Sequence, residues 1–250
     1  MCTLSWVATG AGYDLFFNRD ERIGRGAESA PLETLHEGVR VLAPRDTDAG
    51  GTWITVNEHG VTNAILNGYF ESDERHNPGR RSRGLLSLDH ADVGSPSDLT
   101  ARIEVLDLSI YAPFTLCSFQ PVAGPTLGQA LEWDGARLRA SMLATDQAPV
   151  CSSAIDDAGT RARRTAEWTR QSAIAPMDAA RLASFHSSHL DGPSAHSPCM
   201  HRSDADTRSM IHVRVDAHRV SMTYTPGAPC RTPADAPLTL DRRAASAPFS

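Results

Sequence analysis

CTLSWVATGAGYDLFFNRDE, residues 2–21, is the stretch on which the reading of this chain turns. From Cys2 to Thr9 the residues alternate, with Leu4, Trp6 and Ala8 on one face and Thr3, Ser5 and Val7 on the other, which is the period of a strand. Gly10-Ala11-Gly12 supplies a turn, and residues 13–18 return as the second strand of a hairpin. Asn18-Arg19-Asp20-Glu21 then follows directly on the apolar Leu15-Phe16-Phe17. A hairpin brings these four side chains beside the start of its first strand, where Cys2 stands. Charge placed there is costly unless it is paired or used.

Cys2 has a chemistry of its own. Methionine removal ahead of a small second residue would put a thiol and a free α-amino group on one residue. An α-amine with an ordinary pKa of about 7.7–8.0 can take the thiol proton and return it to a leaving amine, so nucleophile and base arrive together.

Outward from the hairpin, residues 39–43, 52–57 and 61–67 read as strands, the last two joined by the turn Glu58-His59-Gly60. A polar loop over 68–82 carries Pro78, Gly79 and several arginines, and helical spacing follows over 83–91 and 97–106, the latter after Ser95-Pro96. Residues 114–120, 130–133 and 137–142 form a second group of strands, with Asp134-Gly135 as a hairpin signal. Helices over 156–171 and 178–189, a hairpin of 210–215 with 220–224, and a Pro/Ala-rich tail over 231–250 complete the chain. Alternating groups of strands and helices predict a layered α+β fold, with residues 1–250 as one domain.

Composition excludes several functions. A formal charge of −6 argues against a nucleic-acid partner. Every basic residue is Arg, so no lysine Schiff base is available. The five cysteines form an odd set with no Cys-x-x-Cys pair, which fits a reducing, cytoplasmic compartment. No stretch nears the roughly 20 apolar residues of a membrane span, so no stable membrane insertion is expected, and the N-terminus lacks the plan of a signal peptide.

The motifs together resemble one family. Asn18-Arg19-Asp20-Glu21 is the signature of the NRDE family, which includes the transport and Golgi organization protein 2 homologues. Met1-Cys2-Thr3-Leu4, Gly50-Gly51-Thr52-Trp53, Asn57-Glu58-His59-Gly60, Leu66-Asn67, Arg81-Ser82-Arg83-Gly84, Cys199-Met200-His201-Arg202 and Gly227-Ala228-Pro229-Cys230 extend the likeness along the chain. The resemblance implies a four-layer αββα sandwich of two antiparallel sheets, as in N-terminal-nucleophile (Ntn) hydrolases such as penicillin and bile-salt amidases. It implies Cys2 as nucleophile toward a linear amide, with Arg19 and Asp20 holding the Cys2 amine and thiolate and Asn18 and Glu21 sharing those duties. Those amidases place the acid three residues after the arginine, whereas here Asp20 is adjacent to Arg19.

For the oxyanion the candidates are Asn67 and Ser153, with Gly51 allowing close backbone approach. His201 and Arg202 are candidate substrate-carboxylate anchors or, with Cys199, haem or soft-metal ligands; no second ligand pair supports a metal, and none is expected. Arg80, Arg81 and Arg83 suit a phosphate or carboxylate, or form a solvated loop. The expected ligand is therefore a small amide, an acyl compound or a haem, with no cofactor required. The rival to an amidohydrolase is a non-catalytic haem or acyl-lipid binder on the same scaffold; a third option is a domain whose motifs serve folding alone.

Overall fold

In a computed structural model, residues 2–26, 28–69, 80–121 and 124–243 are described. Residues 70–79 of the polar loop, with Pro78 and Gly79, and residues 244–250 of the tail lie outside them.

The chain forms two antiparallel sheets. The first has the strand order β10 (Val150–Ser152), β1 (Cys2–Thr9), β2 (Gly12–Arg22), β11 (Ala205–Val215), β12 (Arg219–Thr225) and β13 (Leu238–Asp241). The second runs in sequence order through β3 (Glu28–His36), β4 (Val39–Asp46), β5 (Ile54–Asn57), β6 (Thr62–Asn67), β7 (Phe114–Phe119), β8 (Thr126–Trp133) and β9 (Leu138–Ala144). Helices α3 (Asp157–Ile174) and α4 (Ala179–His186) pack on the first sheet, and α1 (Arg83–Asp89) and α2 (Pro96–Glu104) on the second. This is the four-layer αββα sandwich that the resemblance implied.

Alternation in the strands builds the layers. Leu4, Trp6, Leu15, Phe17, Ile211 and Val213 from the first sheet meet Ile54, Val56, Ala64, Leu66, Cys117 and Phe119 from the second in one fully buried cluster. Side chains also cross between the sheets: Trp6 Nε1 donates to the Ala144 carbonyl at 2.8 Å, and the Tyr13 hydroxyl donates to the Gly60 carbonyl at 2.8 Å. The opposite, polar face of β1 is not solvated. Thr3 and Ser5 are fully buried beneath α3 and α4, so each needs a hydrogen-bond partner from a helix.

The sequence reading and the structure differ at three strands. β3 was not expected, because Glu28–His36 is mostly polar and contains Pro31; it is an edge strand with a register shift between Ser29 and Leu32, where a missing N–H is tolerated. β10 has only three residues, too few for a period. The tail expected over 231–250 contains β13, which pairs Leu240 with Val220 at the edge of the first sheet.

The Asn57-Glu58-His59-Gly60 motif has a structural role. Asn57 is fully buried; its Nδ2 donates to the carbonyls of Ala91 and Val93 at 2.9 and 2.8 Å, and its Oδ1 accepts the N–H groups of His59 and Val61 at 3.0 and 3.1 Å. One amide thus shapes the turn, whose Gly60 has φ +79°, and ties the segment after α1 to the second sheet. Asn57→Ala leaves four backbone groups, three of them buried, short of a partner and is expected to cost about 3 kcal/mol, read from urea unfolding.

Candidate active site

Register places the candidate nucleophile. Cys2 is the first residue of β1, paired with Arg19 of β2 on one side and Ser152 of β10 on the other. Its side chain is 7% exposed and lines a cavity of about 250 Å³ between the two sheets. Trp53, just before β5, Ile65 and Asn67 of β6, and Arg81 to Gly84 at the start of α1 form the facing wall.

β2 runs to Arg22, so Asn18 to Glu21 lie within the strand rather than after it, and strand alternation divides them between two faces. Arg19 points into the inter-sheet space. It lies 4.6 Å over the Trp53 ring and pairs with Glu28 and, at 3.0 Å, with Asp46. Glu28 also accepts from the Tyr224 hydroxyl at 3.0 Å. Burial opposes the charge on Asp46, but the Ala49 N–H and the guanidiniums of Arg25 and Arg19 outweigh it and hold the carboxyl below its usual range. Glu21 and Arg25 line the same cavity.

Asn18 and Asp20 belong to the helix-facing side. Asn18 Nδ2 donates to the carbonyls of His186 and Pro198, both at 2.8 Å, and does not line the cavity. Asp20 reaches both: it lines the cavity, accepts from the Thr207 hydroxyl at 2.6 Å, and is paired at 3.3 Å with Arg164 of α3, both side chains being fully buried. Arg164 also donates to Thr3 Oγ1, to the Ser197 carbonyl at 2.7 Å, to the His196 carbonyl at 3.2 Å and to the Cys2 carbonyl at 3.4 Å. It clamps the start of β1 from behind.

Burial is the leading influence on the thiol and pushes Cys2 up to about 11; the positive N-terminus and Arg19 pull it down, and Asp20 pushes it further up. Arg19 is already matched by two carboxylates, and Asp20 disfavours a second negative charge beside it.

Of the oxyanion candidates, Gly51 and Asn67 line the cavity and Ser153 does not. Ser153 directly follows β10, and its N–H donates to Asp157 at the start of α3 at 2.7 Å. Gly51 packs against α1: a Cβ there would come within 2.4 Å of the Gly84 carbonyl carbon, and the Thr52 N–H donates to the Gly84 carbonyl at 3.0 Å. Arg80, Arg81 and Arg83 all reach the cavity, Arg81 paired with Asp89 at 2.6 Å. His201 and Arg202 do not line it; Arg202 pairs with Asp204 at 2.6 Å and His201 with Asp206 at 3.1 Å.

Arg164, Glu28, Asp46 and Thr207 escaped the sequence reading. The one signal for Arg164 is the buried stripe Thr160, Arg164, Trp168 and Gln171 on α3, spaced by four, four and three residues.

His186 sits behind the site, fully buried, with Nε2 2.7 Å from Ser5 Oγ. Burial, then the charges of Arg164 and His212, lower its pKa from 6.5 to about 3. Between those values the unfolded chain binds a proton that the folded chain refuses, so stability falls as pH drops from about 6.5 to 3. This histidine contributes about 1.4 kcal/mol per pH unit there. His186→Gln is expected to flatten that part of the acid-denaturation profile.

The sandwich recurs in solved structures. An N-acylethanolamine-hydrolyzing acid amidase ortholog from Caenorhabditis elegans superposes with a TM-score of 0.60 at 8% identity, over 85% of this chain and 92% of that one. The C2A mutant of a conjugated bile acid hydrolase from Clostridium perfringens gives 0.54 at 10% identity over 98% of both chains. Penicillin V acylase from Agrobacterium tumefaciens gives 0.52 at 11% identity over 90% and 83%. At these identities the likeness is one of fold, that of the Ntn hydrolases. No curated protein matches significantly. The sequence model described as Transport and Golgi organisation 2 matches residues 1–131, which contain β1 through β7, the Cys2 and Asn18–Glu21 positions and both walls of the cavity. More than half of the sequence is thereby matched, and the chain belongs to the Transport and Golgi organisation 2 family.

Proposed function

We propose that this chain is a cysteine amidohydrolase that cleaves a linear amide through an acyl-enzyme on Cys2. The observation that carries the reading is Cys2 at the first position of β1, on the floor of a cavity, with Asp20 beside it and Arg164 fixing its carbonyl. The structural neighbours named for penicillin V, bile-acid and N-acylethanolamine cleavage support an amide as substrate class.

In this mechanism loss of Met1 frees the Cys2 α-amine, which accepts the thiol proton as sulfur attacks the amide carbon. The tetrahedral intermediate collapses, the C–N bond breaks, and the α-ammonium gives its proton to the departing amine. Water then attacks the thioester, releasing the acid and restoring the thiol. Asp20 balances the ammonium, and Asn67 is the oxyanion donor on the opposite wall. Five arginines against three acids line the cavity, which suits a substrate with an anionic end.

A second reading, a haem or acyl-lipid binder, draws on the thiol pushed up to about 11. The cavity argues against a macrocycle, since about 250 Å³ falls short of the roughly 300–1,000 Å³ of sites for larger ligands. The two readings separate in one preparation. An electrophilic acylating probe should add its acyl mass to Cys2, located by tandem mass spectrometry, whereas a Soret shift on haem titration without Cys2 acylation would favour the binder.

A further inference from the structure

Outside the Cys2 cavity, three separate segments converge on a second cluster. His189 lies in the loop after α4, Cys199 and His201 in the loop before β11, and Cys230 in the turn after β12. One ligand atom from each lies within 4.8 Å of the other three. We propose that His189, Cys199, His201 and Cys230 form a tetrahedral Cys₂His₂ site for Zn²⁺.

The distances fit a metal. Zn–S and Zn–N bonds of about 2.3 and 2.0–2.1 Å at the tetrahedral angle put sulfur and nitrogen about 3.6 Å apart. The Sγ atoms of Cys199 and Cys230 lie 3.5 and 3.4 Å from His201 Nε2. Two thiols thus face one nitrogen that can accept a single hydrogen bond. Nor does protein satisfy the second histidine: His189 Nε2 is buried without a hydrogen-bond partner among the described residues. A cation at the centre resolves both. On binding, the two thiols release two protons to solvent and the resulting thiolates neutralise the ion.

The surroundings match a ligand shell. His201 Nδ1 donates to Asp206 at 3.1 Å, and Asp206 is held in turn by Arg231 at 3.2 Å, so a carboxylate fixes the ring with Nε2 toward the cluster. Leu190, immediately after His189, has φ +56°, an unusual backbone conformation for a branched residue that turns the loop back on itself. Two sulfurs and two imidazoles favour zinc over magnesium or calcium, and four protein ligands leave no open position, which makes the site structural.

Its effect would reach the Cys2 cavity. Met200, between two ligands, exchanges hydrogen bonds with Thr207 at 2.8 and 2.9 Å, and the Thr207 hydroxyl holds Asp20. The same loop supplies the carbonyls of His196, Ser197 and Pro198 that Arg164 and Asn18 grip. A metal would therefore lock the loop that supports the buried ion pair.

The test needs no activity and stands whether or not the chain is an enzyme. Protein purified anaerobically, stripped of metal and given Zn²⁺ should take up one equivalent by elemental mass spectrometry, and the Co²⁺ form should show tetrahedral and thiolate-to-cobalt absorption. Cys230→Ser and His189→Ala should lose that spectrum, Asp206→Asn should weaken binding about 10–100-fold, and Cys2→Ala should change neither. Failure of the folded wild-type chain to bind one equivalent, a Cys199–Cys230 disulfide in the anaerobic protein, or loss of the cobalt bands in Cys2→Ala would overturn the site.

Discussion

A Cys2→Ala chain is expected to lose turnover of a linear N-acyl substrate by on the order of 10⁴-fold or more, and a wild-type chain that retains Met1 should lose nearly as much. Both follow from the same residue. Alanine removes the sulfur that forms the acyl-enzyme. Retained Met1 leaves the sulfur but turns the Cys2 nitrogen into an amide, which cannot take the thiol proton. Burial then leaves the thiol at about 11, where the thiolate fraction near neutrality is very small. Removing Met1 puts a positive charge on the cysteine itself, and that proximity should lower the thiol pKa. Alkylation by iodoacetamide, followed by intact mass across pH, reads the difference: the rate should still be rising at pH 11 with Met1 present and should level off at lower pH once it is gone. Unchanged turnover in Cys2→Ala would refute the proposed mechanism. Equal alkylation profiles for the two N-termini would refute the role of the amine alone.

The sequence was most legible where a period or a short motif is local. Cys2–Thr9 was read with the bounds that the structure has, and Asn18-Arg19-Asp20-Glu21 was placed beside Cys2 because a hairpin leaves no other choice. What the motif does was less legible. Strand alternation sends Arg19 to Trp53, Glu28 and Asp46 but Asn18 and Asp20 to the helical layer, and all of those partners but Glu28 are distant in sequence. The polar face of β1 reads as solvent-facing until α3 and α4 are known to cover it. His201 reads in sequence as a substrate anchor or, with Cys199 two residues away, as a haem or soft-metal ligand; His189 and Cys230, brought in by the loop after α4 and the turn after β12, carry no pattern linking them to it. β3 and β13 were missed because edge strands bury little and need not alternate.

Arg164→Met is expected to cost about 3–5 kcal/mol of stability, a larger effect than any exposed arginine would give. The substitution nearly conserves volume, so the cost comes from what the guanidinium leaves behind. Asp20, fully buried, would lose its guanidinium partner while keeping the Thr207 hydroxyl, and the carbonyls of Ser197 and His196 and the Thr3 hydroxyl would lose their donor. Arg164→Lys keeps the charge but cannot fork to those acceptors and should fall between the two. The double variant Arg164→Met with Asp20→Asn should be less destabilised than the sum of the singles, because it removes the buried charge along with its guanidinium partner. The pH dependence separates this from a simple packing loss. Burial already pushes the Asp20 carboxyl above its ordinary 3.8 with Arg164 opposing, and without Arg164 the rise is larger. A folded pKa above the unfolded one means the folded chain binds the extra proton, so the penalty should shrink as pH falls toward that raised pKa and grow as pH rises through it. Urea midpoints of wild type and Arg164→Met at several pH values measure the gap. A gap that stays constant with pH would mean that Arg164 acts through packing and its carbonyl contacts, and that Asp20 is not charged in the folded protein.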